Sequence, residues 1–178
     1  MADSKQTSSG SNDSSSGDSG ANDLKTEVYS LMIPTINSHI LLPNLSVAEI
    51  VPYSNVELFD ESENKAHWFL GHLLWRGMHI PLISVDIIGG AKDPKANKRS
   101  RIAIVHTLNG NPDTPYLSIV VQGIPRLSHV TGINMRFVPS DDLAESEKMQ
   151  VEVDSVLASI PDLDRLEEMV IDELATQE

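Results

Sequence analysis

The chain has 178 residues, 40% of them hydrophobic, which suits one domain with tails rather than two independent domains. It has no cysteine, so disulfides, thiolate metal sites and a cysteine nucleophile are excluded, and no stretch nears the roughly 20 apolar residues of a membrane span. The formal charge is −13, unevenly spread: residues 1–23 carry −3, residues 24–140 carry +1 and residues 141–178 carry −11, a distribution that offers phosphate no basic face.

Residues 1–23 hold eight serines among the first twenty, mixed with Gly, Asn and Asp, and are expected to be a disordered tail. The start lacks the basic residues and apolar run of a secretory signal, so a cytoplasmic protein is expected. Val28 to Ile33 and His39 to Leu42 read as a hairpin with a turn at Thr35 to Ser38. Ser46 to Val51 reads as the next strand, and a strict two-residue period places Val47 and Glu49 on one face and Ala48 and Ile50 on the other. Residues 53–67 form a polar connector.

Trp68 to Asp86 (WFLGHLLWRGMHIPLISVD) reads as two apolar strands joined at Arg76-Gly77, with Pro81 marking the second strand as an edge or a bulge. Apolar residues on both sides anchor this corner, so the guanidinium of Arg76 is held toward solvent or a partner. Ala91 to Arg101 is a loop with five basic residues and no aromatic between them to stack a base, which suits a solvated connection. Arg101 to Leu108 is a strand with Ile102, Ile104 and His106 on one face and Ala103, Val105 and Thr107 on the other. Asn109 to Pro112 is a turn. Tyr116 to Gln122 and Ile124 to Val130 are strands either side of a kink at Gly123, so the second half repeats the strand, turn, strand plan of the first.

Short strands punctuated by Gly, Asn and Pro predict an all-β barrel or sandwich. Helix enters only at the end. Leu163, Leu166, Val170 and Leu174, with Ile171, mark one amphipathic helix over 160–175, capped by Ser159 or Asp162 and packed back on the barrel. The domain itself is expected over 24–140, with 141–178 as an acidic segment beyond it.

Catalytic patterns are missing. No histidine pair has helical metal-ligand spacing, although His72 and His79 flank the Arg76 turn and could face each other as a metal pair. Gly89-Gly90 lacks the surroundings of a phosphate loop, and no paired carboxylates share an apolar pocket. No cofactor or metal is expected, and the reading is a non-enzyme; the competing class is a ligand- or metal-binding β-barrel enzyme.

Gly71, Arg76, Gly77 and Pro81 stand where the CheW-like domain, the adaptor of bacterial chemosensory arrays, carries a Gly, an Asn-Leu-Arg-Gly turn and a Pro-Val-Val-Asp-Leu strand. The chain resembles that family from about Lys25 to Pro139. Leu74, Trp75 and Ser84 replace the usual Asn, Leu and Asp, departures similar to those of ChpC-type members from pilus-linked systems. The resemblance implies two intertwined five-stranded SH3-like barrels and a non-catalytic adaptor. It would bridge a chemoreceptor tip and the regulatory domain of a CheA-type histidine kinase that controls motility, including twitching. It implies receptor contact through Val47, Glu49, Ile50 and Arg76, and kinase contact through Gly71. Leu74 and Trp75 are further interface candidates, Trp75 being equally suited to the core. A regulator holding the kinase alone is the third reading.

Overall fold

The computed structural model describes residues 27–60, 65–92 and 97–176. The serine-rich tail read at 1–23, part of the connector and part of the basic loop lie outside these residues. In chain order the elements are β1 (Val28–Pro34), β2 (His39–Pro43), β3 (Val47–Pro52), β4 (Val56–Leu58), β5 (Phe69–Trp75), β6 (Met78–Ile83), α1 (Val85–Ile88), β7 (Arg101–His106), β8 (Tyr116–Val121), β9 (Arg126–Val130), β10 (Met135–Val138), β11 (Glu147–Val153), β12 (Val156–Pro161) and α2 (Leu163–Ala175).

The strands form two curled sheets, β10-β11-β12-β2-β1-β9 and β3-β7-β8-β6-β5-β4. The fold is all-β with a C-terminal helix, and the short edge strands β10 and β4 bring each sheet to six strands. The two units are nested, not successive halves as the sequence plan suggested, because all of β3–β8 is inserted between β2 and β9 of the first sheet. Each sheet contains one parallel pair, β12 with β2 and β6 with β8, where the chain returns after a long excursion.

Residues 141–161 correct the expected boundary at residue 140. They supply β11 and β12, which pair with each other and carry Ser159 alongside Ile40 of β2. In β11 the inward residues Val151 and Val153 alternate with Gln150 and Glu152, so a half-buried strand sits inside a segment whose net charge reads as solvated.

Three apolar clusters hold the molecule. One fills the β3–β8 sheet with Leu73, Trp75, Ile80, Leu82, Ile102, Ile104 and Val120. Another fills the first sheet with Met32, Leu41, Val130, Val151, Val153 and Ala158. The largest lies between the sheets, where Ile33, Ile40 and Leu42 meet Phe69, Ile83, Ala103, Val105, Leu117, Ile119 and Val121 beneath α2. The β7 alternation read from the sequence divides these residues as expected, Ile102 and Ile104 inward and Ala103 and Val105 into the shared core.

Pro81 does not mark an edge, because β6 lies between β5 and β8. Counting from the two-residue turn, Pro81 opposite His72 is a non-hydrogen-bonded pair, so its nitrogen faces away from β5. Pairing with β8 begins one residue later, at Leu82, and the missing N–H removes no ladder bond. The Pro81 carbonyl instead accepts the Ser118 hydroxyl at 2.6 Å.

Asp162 caps α2, its Oδ1 accepting the Arg165 N–H at 3.1 Å. The buried stripe is Leu163, Leu166, Met169 and Val170, while Ile171, counted with the stripe in the sequence, is 36% exposed. Leu166→Ala is therefore expected to cost about 2 to 5 kcal/mol in urea unfolding, and Ile171→Ala less than about 1 kcal/mol.

Asp86, in α1, joins the sheets by accepting the Ile36 N–H at 2.9 Å. Burial pushes its carboxyl above the ordinary value, against the opposing pull of that N–H. The folded state thus holds the proton more tightly than the unfolded chain. This contribution to stability is complete below the ordinary carboxylate range and is lost as pH rises through the raised folded value. Asp86→Asn is expected to lack this loss, so its melting temperature should gain on the wild type as pH rises above the ordinary carboxylate range.

Candidate functional site

The β5–β6 hairpin turns through Arg76 and Gly77 at φ of 51° and 80°. Positive φ at both central residues is the type I′ turn, whose twist matches that of the flanking strands. Since side chains alternate along β5, Trp75 turns into the sheet and is 8% exposed, while Leu74 points out and is 42% exposed. Trp75 is therefore a core residue and not the interface anchor weighed from the sequence.

The indole keeps a polar role. Its Nε1–H donates to Glu49 Oε2 at 3.0 Å, and Arg76 Nη2 donates to the same oxygen at 3.0 Å. The guanidinium carbon stands 4.6 Å from the Trp75 ring centroid, so one planar cation is held by a ring below and a carboxylate beside it. The Arg76 side chain stays 67% exposed. An ion pair this exposed contributes about 0 to 1 kcal/mol, so its effect is on orientation more than stability. Glu49 and Arg76 are partners of each other, not two separate charges offered outward.

A bulge brings Glu49 there. Val47 pairs with Val105 but Glu49 with Ile104, so Ala48 is an extra residue on β3. The strict alternation read from the sequence fails at this step. Val47 and Ile50 pack on the core between the sheets, whereas Ala48 and Val51 face the interior that holds Trp75. Glu49 comes to the Trp75 side, across the curled sheet from β5, and Val47 and Ile50 are left half-buried at the same edge.

Gly71 has a backbone reason to be glycine. At φ of 144° it lies buried under β4, where an added Cβ would stand 2.0 Å from the Glu57 carbonyl oxygen. It has no side chain to offer, and its effect on the surface passes through β4, whose Leu58 is its strand partner. Beside it, Glu57 Oε2 stands 3.5 Å from His79 Nε2. His72 faces Pro81 and His79 faces Leu74, so the two histidines are not directly opposite. No group of three potential metal ligands gathers among the described residues.

Ser84 is buried and caps α1, its hydroxyl accepting the Ile87 N–H at 3.3 Å. Ser and Asp both serve as N-caps, so this departure keeps the local geometry. Sequence reasoning missed Asn55, at φ of 56°, whose carbonyl accepts the Leu74 N–H at 3.0 Å and extends the cover over β5. The Ser54-Asn55 pair was its turn signal.

Residues 31–168 match the CheW-like domain. The chain belongs to the CheW-like domain family. The match runs past Pro139, through β11 and β12 and into α2, and includes these two strands absent from the sequence reading. Among solved structures, the scaffolding protein TtCheW from Thermoanaerobacter tengcongensis is similar in fold, with a TM-score of 0.61 at 17% identity over 76% of this chain and 88% of that one. No curated protein matches the chain in sequence. Within this CheW-like domain the hairpin geometry makes a direct demand on Gly71. Gly71→Ala is expected to destabilise the fold by about 2 to 4 kcal/mol, from overpacking plus strain, read as a lower midpoint in urea unfolding.

Proposed function

We propose that this CheW-like protein is a non-catalytic adaptor that couples a chemoreceptor to a CheA-type histidine kinase controlling motility, in the manner of ChpC-type members of pilus-linked systems. It works in the cytoplasm, where both partners present these surfaces. Family membership supports the adaptor role, and the observation that carries the site is the exposed guanidinium of Arg76 held over Trp75 beside Glu49.

The receptor's helical tip meets Arg76, with the half-buried Val47 and Ile50 supplying apolar area and Leu74 adding an exposed apolar side chain on the hairpin. The Arg76 guanidinium donates from one nitrogen to Glu49, leaving other N–H groups for a carboxylate or carbonyl of the tip. Kinase contact lies at the β4–β5 edge that Gly71 shapes. Binding alone carries the signal, so a polar group that fixes orientation matters more to specificity than to folding.

Arg76→Glu is expected to weaken binding of a receptor-tip fragment at least tenfold by interferometry while moving the melting temperature by less than about 2 °C. Undiminished binding to both receptor and kinase fragments would end the site assignment. Binding of the kinase fragment alone by the wild type would favour a single-partner regulator.

A further inference from the structure

Among the described residues Glu167 is the one charged side chain that is buried, at 1% exposure, on a helix face otherwise made of Leu163, Leu166, Met169 and Val170. Burying a carboxylate is costly unless strong donors meet it, and an apolar residue would suit this face better. Its Oε2 accepts three N–H donors from one place: Leu108 N at 3.3 Å, Asn109 N at 3.4 Å and Asn109 Nδ2 at 3.0 Å. Its Oε1 is buried without a hydrogen-bond partner. All three bonds therefore go to the loop just beyond β7, where backbone N–H groups have run out of strand partners.

That loop, residues 107–115, is tied internally by the Thr107 hydroxyl donating to the Thr114 carbonyl at 2.7 Å and by Thr107 N to the Pro115 carbonyl at 3.2 Å. It turns at Gly110, φ of 67°, and presents Leu108, 59% exposed. Its far side, with Pro112 and Pro115, and the adjoining Tyr116 of β8 face Met78, His79 and Pro81 across a cleft of about 300 Å³. Met78 directly follows the Arg76-Gly77 turn, and Tyr116 meets Trp75 edge-on at 5.1 Å. The cleft and the guanidinium therefore stand on one continuous frame.

We infer that Glu167 is a positioning residue that fixes the 107–115 loop as a second lip of the docking surface beside Arg76, so that the receptor tip held by Arg76 also seats an apolar side chain against this loop. The inference rests on the receptor reading of Arg76 given above. It makes α2 part of the recognition apparatus, since the helix sets where the lip stands.

The test combines backbone amide exchange of the full-length chain with binding of a dimeric coiled-coil receptor-tip fragment. In Glu167→Met the 107–110 amides should exchange about 10- to 100-fold faster while β7 and β8 stay protected, and tip binding should weaken about fivefold. Glu167→Gln keeps an acceptor oxygen and should stay within about twofold of the wild type in both readouts. Asn109→Ala tests the contact from the loop side without touching α2, and should loosen the loop and weaken binding in the same direction. An unchanged loop in both Glu167→Met and Asn109→Ala, or a loosened loop with unchanged tip affinity, would overturn the inference. Arg76→Glu separates the two ideas: it should weaken tip binding without loosening the loop. If it leaves binding intact, the receptor reading fails and the lip inference falls with it, while the exchange data still judge the Glu167 contact.

Discussion

Strands β7 and β8 are buried on both faces, and the rest of the molecule follows from that constraint. Ile102, Ile104 and Val120 fill one sheet's interior, while Ala103, Val105, Leu117, Ile119 and Val121 face the other sheet. A strand pair apolar on both sides must be covered twice, once by the curl of its own sheet and once by β1, β2 and α2. The two sheets therefore share a core and fold as one unit, which the insertion of β3–β8 between β2 and β9 enforces along the chain. With the sheet so covered, the β5–β6 hairpin is a stiff projection and not a loose loop.

At the tip of that projection, alternation and turn type act together. Trp75 is drawn inward by burial, and the left-handed backbone of Arg76 and Gly77 sends the next side chain back over the indole. One oxygen of Glu49 then receives both the indole and the guanidinium, so a strand from the far side of the curled sheet sets the direction of the cation. The arrangement contributes little to stability and a good deal to orientation. Such a balance suits a protein proposed to work by binding alone, because a pre-set polar group loses less freedom when a partner arrives.

Irregular backbone places these parts. The extra residue at Ala48 brings Glu49 to the indole, and a second irregularity between Phe69 and Gly71 lets β4 pass so close over Gly71 that no Cβ fits. The family pattern around Gly71, Arg76, Gly77 and Pro81 thus has separate physical roots: a close approach, a turn, and a proline where the ladder needs no donor. Ser84 shows the reverse, a changed residue with an unchanged task as a helix cap.

Much of this was legible in the chain. Apolar and β-branched runs bounded by turn residues located β1, β2, β5, β6 and β8, alternation located β7, the Arg76-Gly77 pair located the turn, and the spacing of Leu163, Leu166 and Val170 located α2, because each signal is local to its own stretch of backbone. The family-bearing residues cluster in one hairpin for the same reason. What local periodicity could not carry were the steps that depend on distant neighbours. The bulge at Ala48 is defined only against Val105 and Ile104, the central place of β6 only by β8, and the membership of β11 and β12 only by the pairing of β11 with β12 and of β12 with β2, since the charged outward face of β11 hid the inward Val151 and Val153. Glu49 meeting Trp75, and Glu167 meeting Leu108 and Asn109, belong to the same class. The sequence by itself determined β1–β3, β5–β9 and α2, which turn is tight and which residue is cationic at its tip. Only the tertiary structure decided what each polar group touches, because a hydrogen bond between residues far apart in sequence leaves no period along the chain.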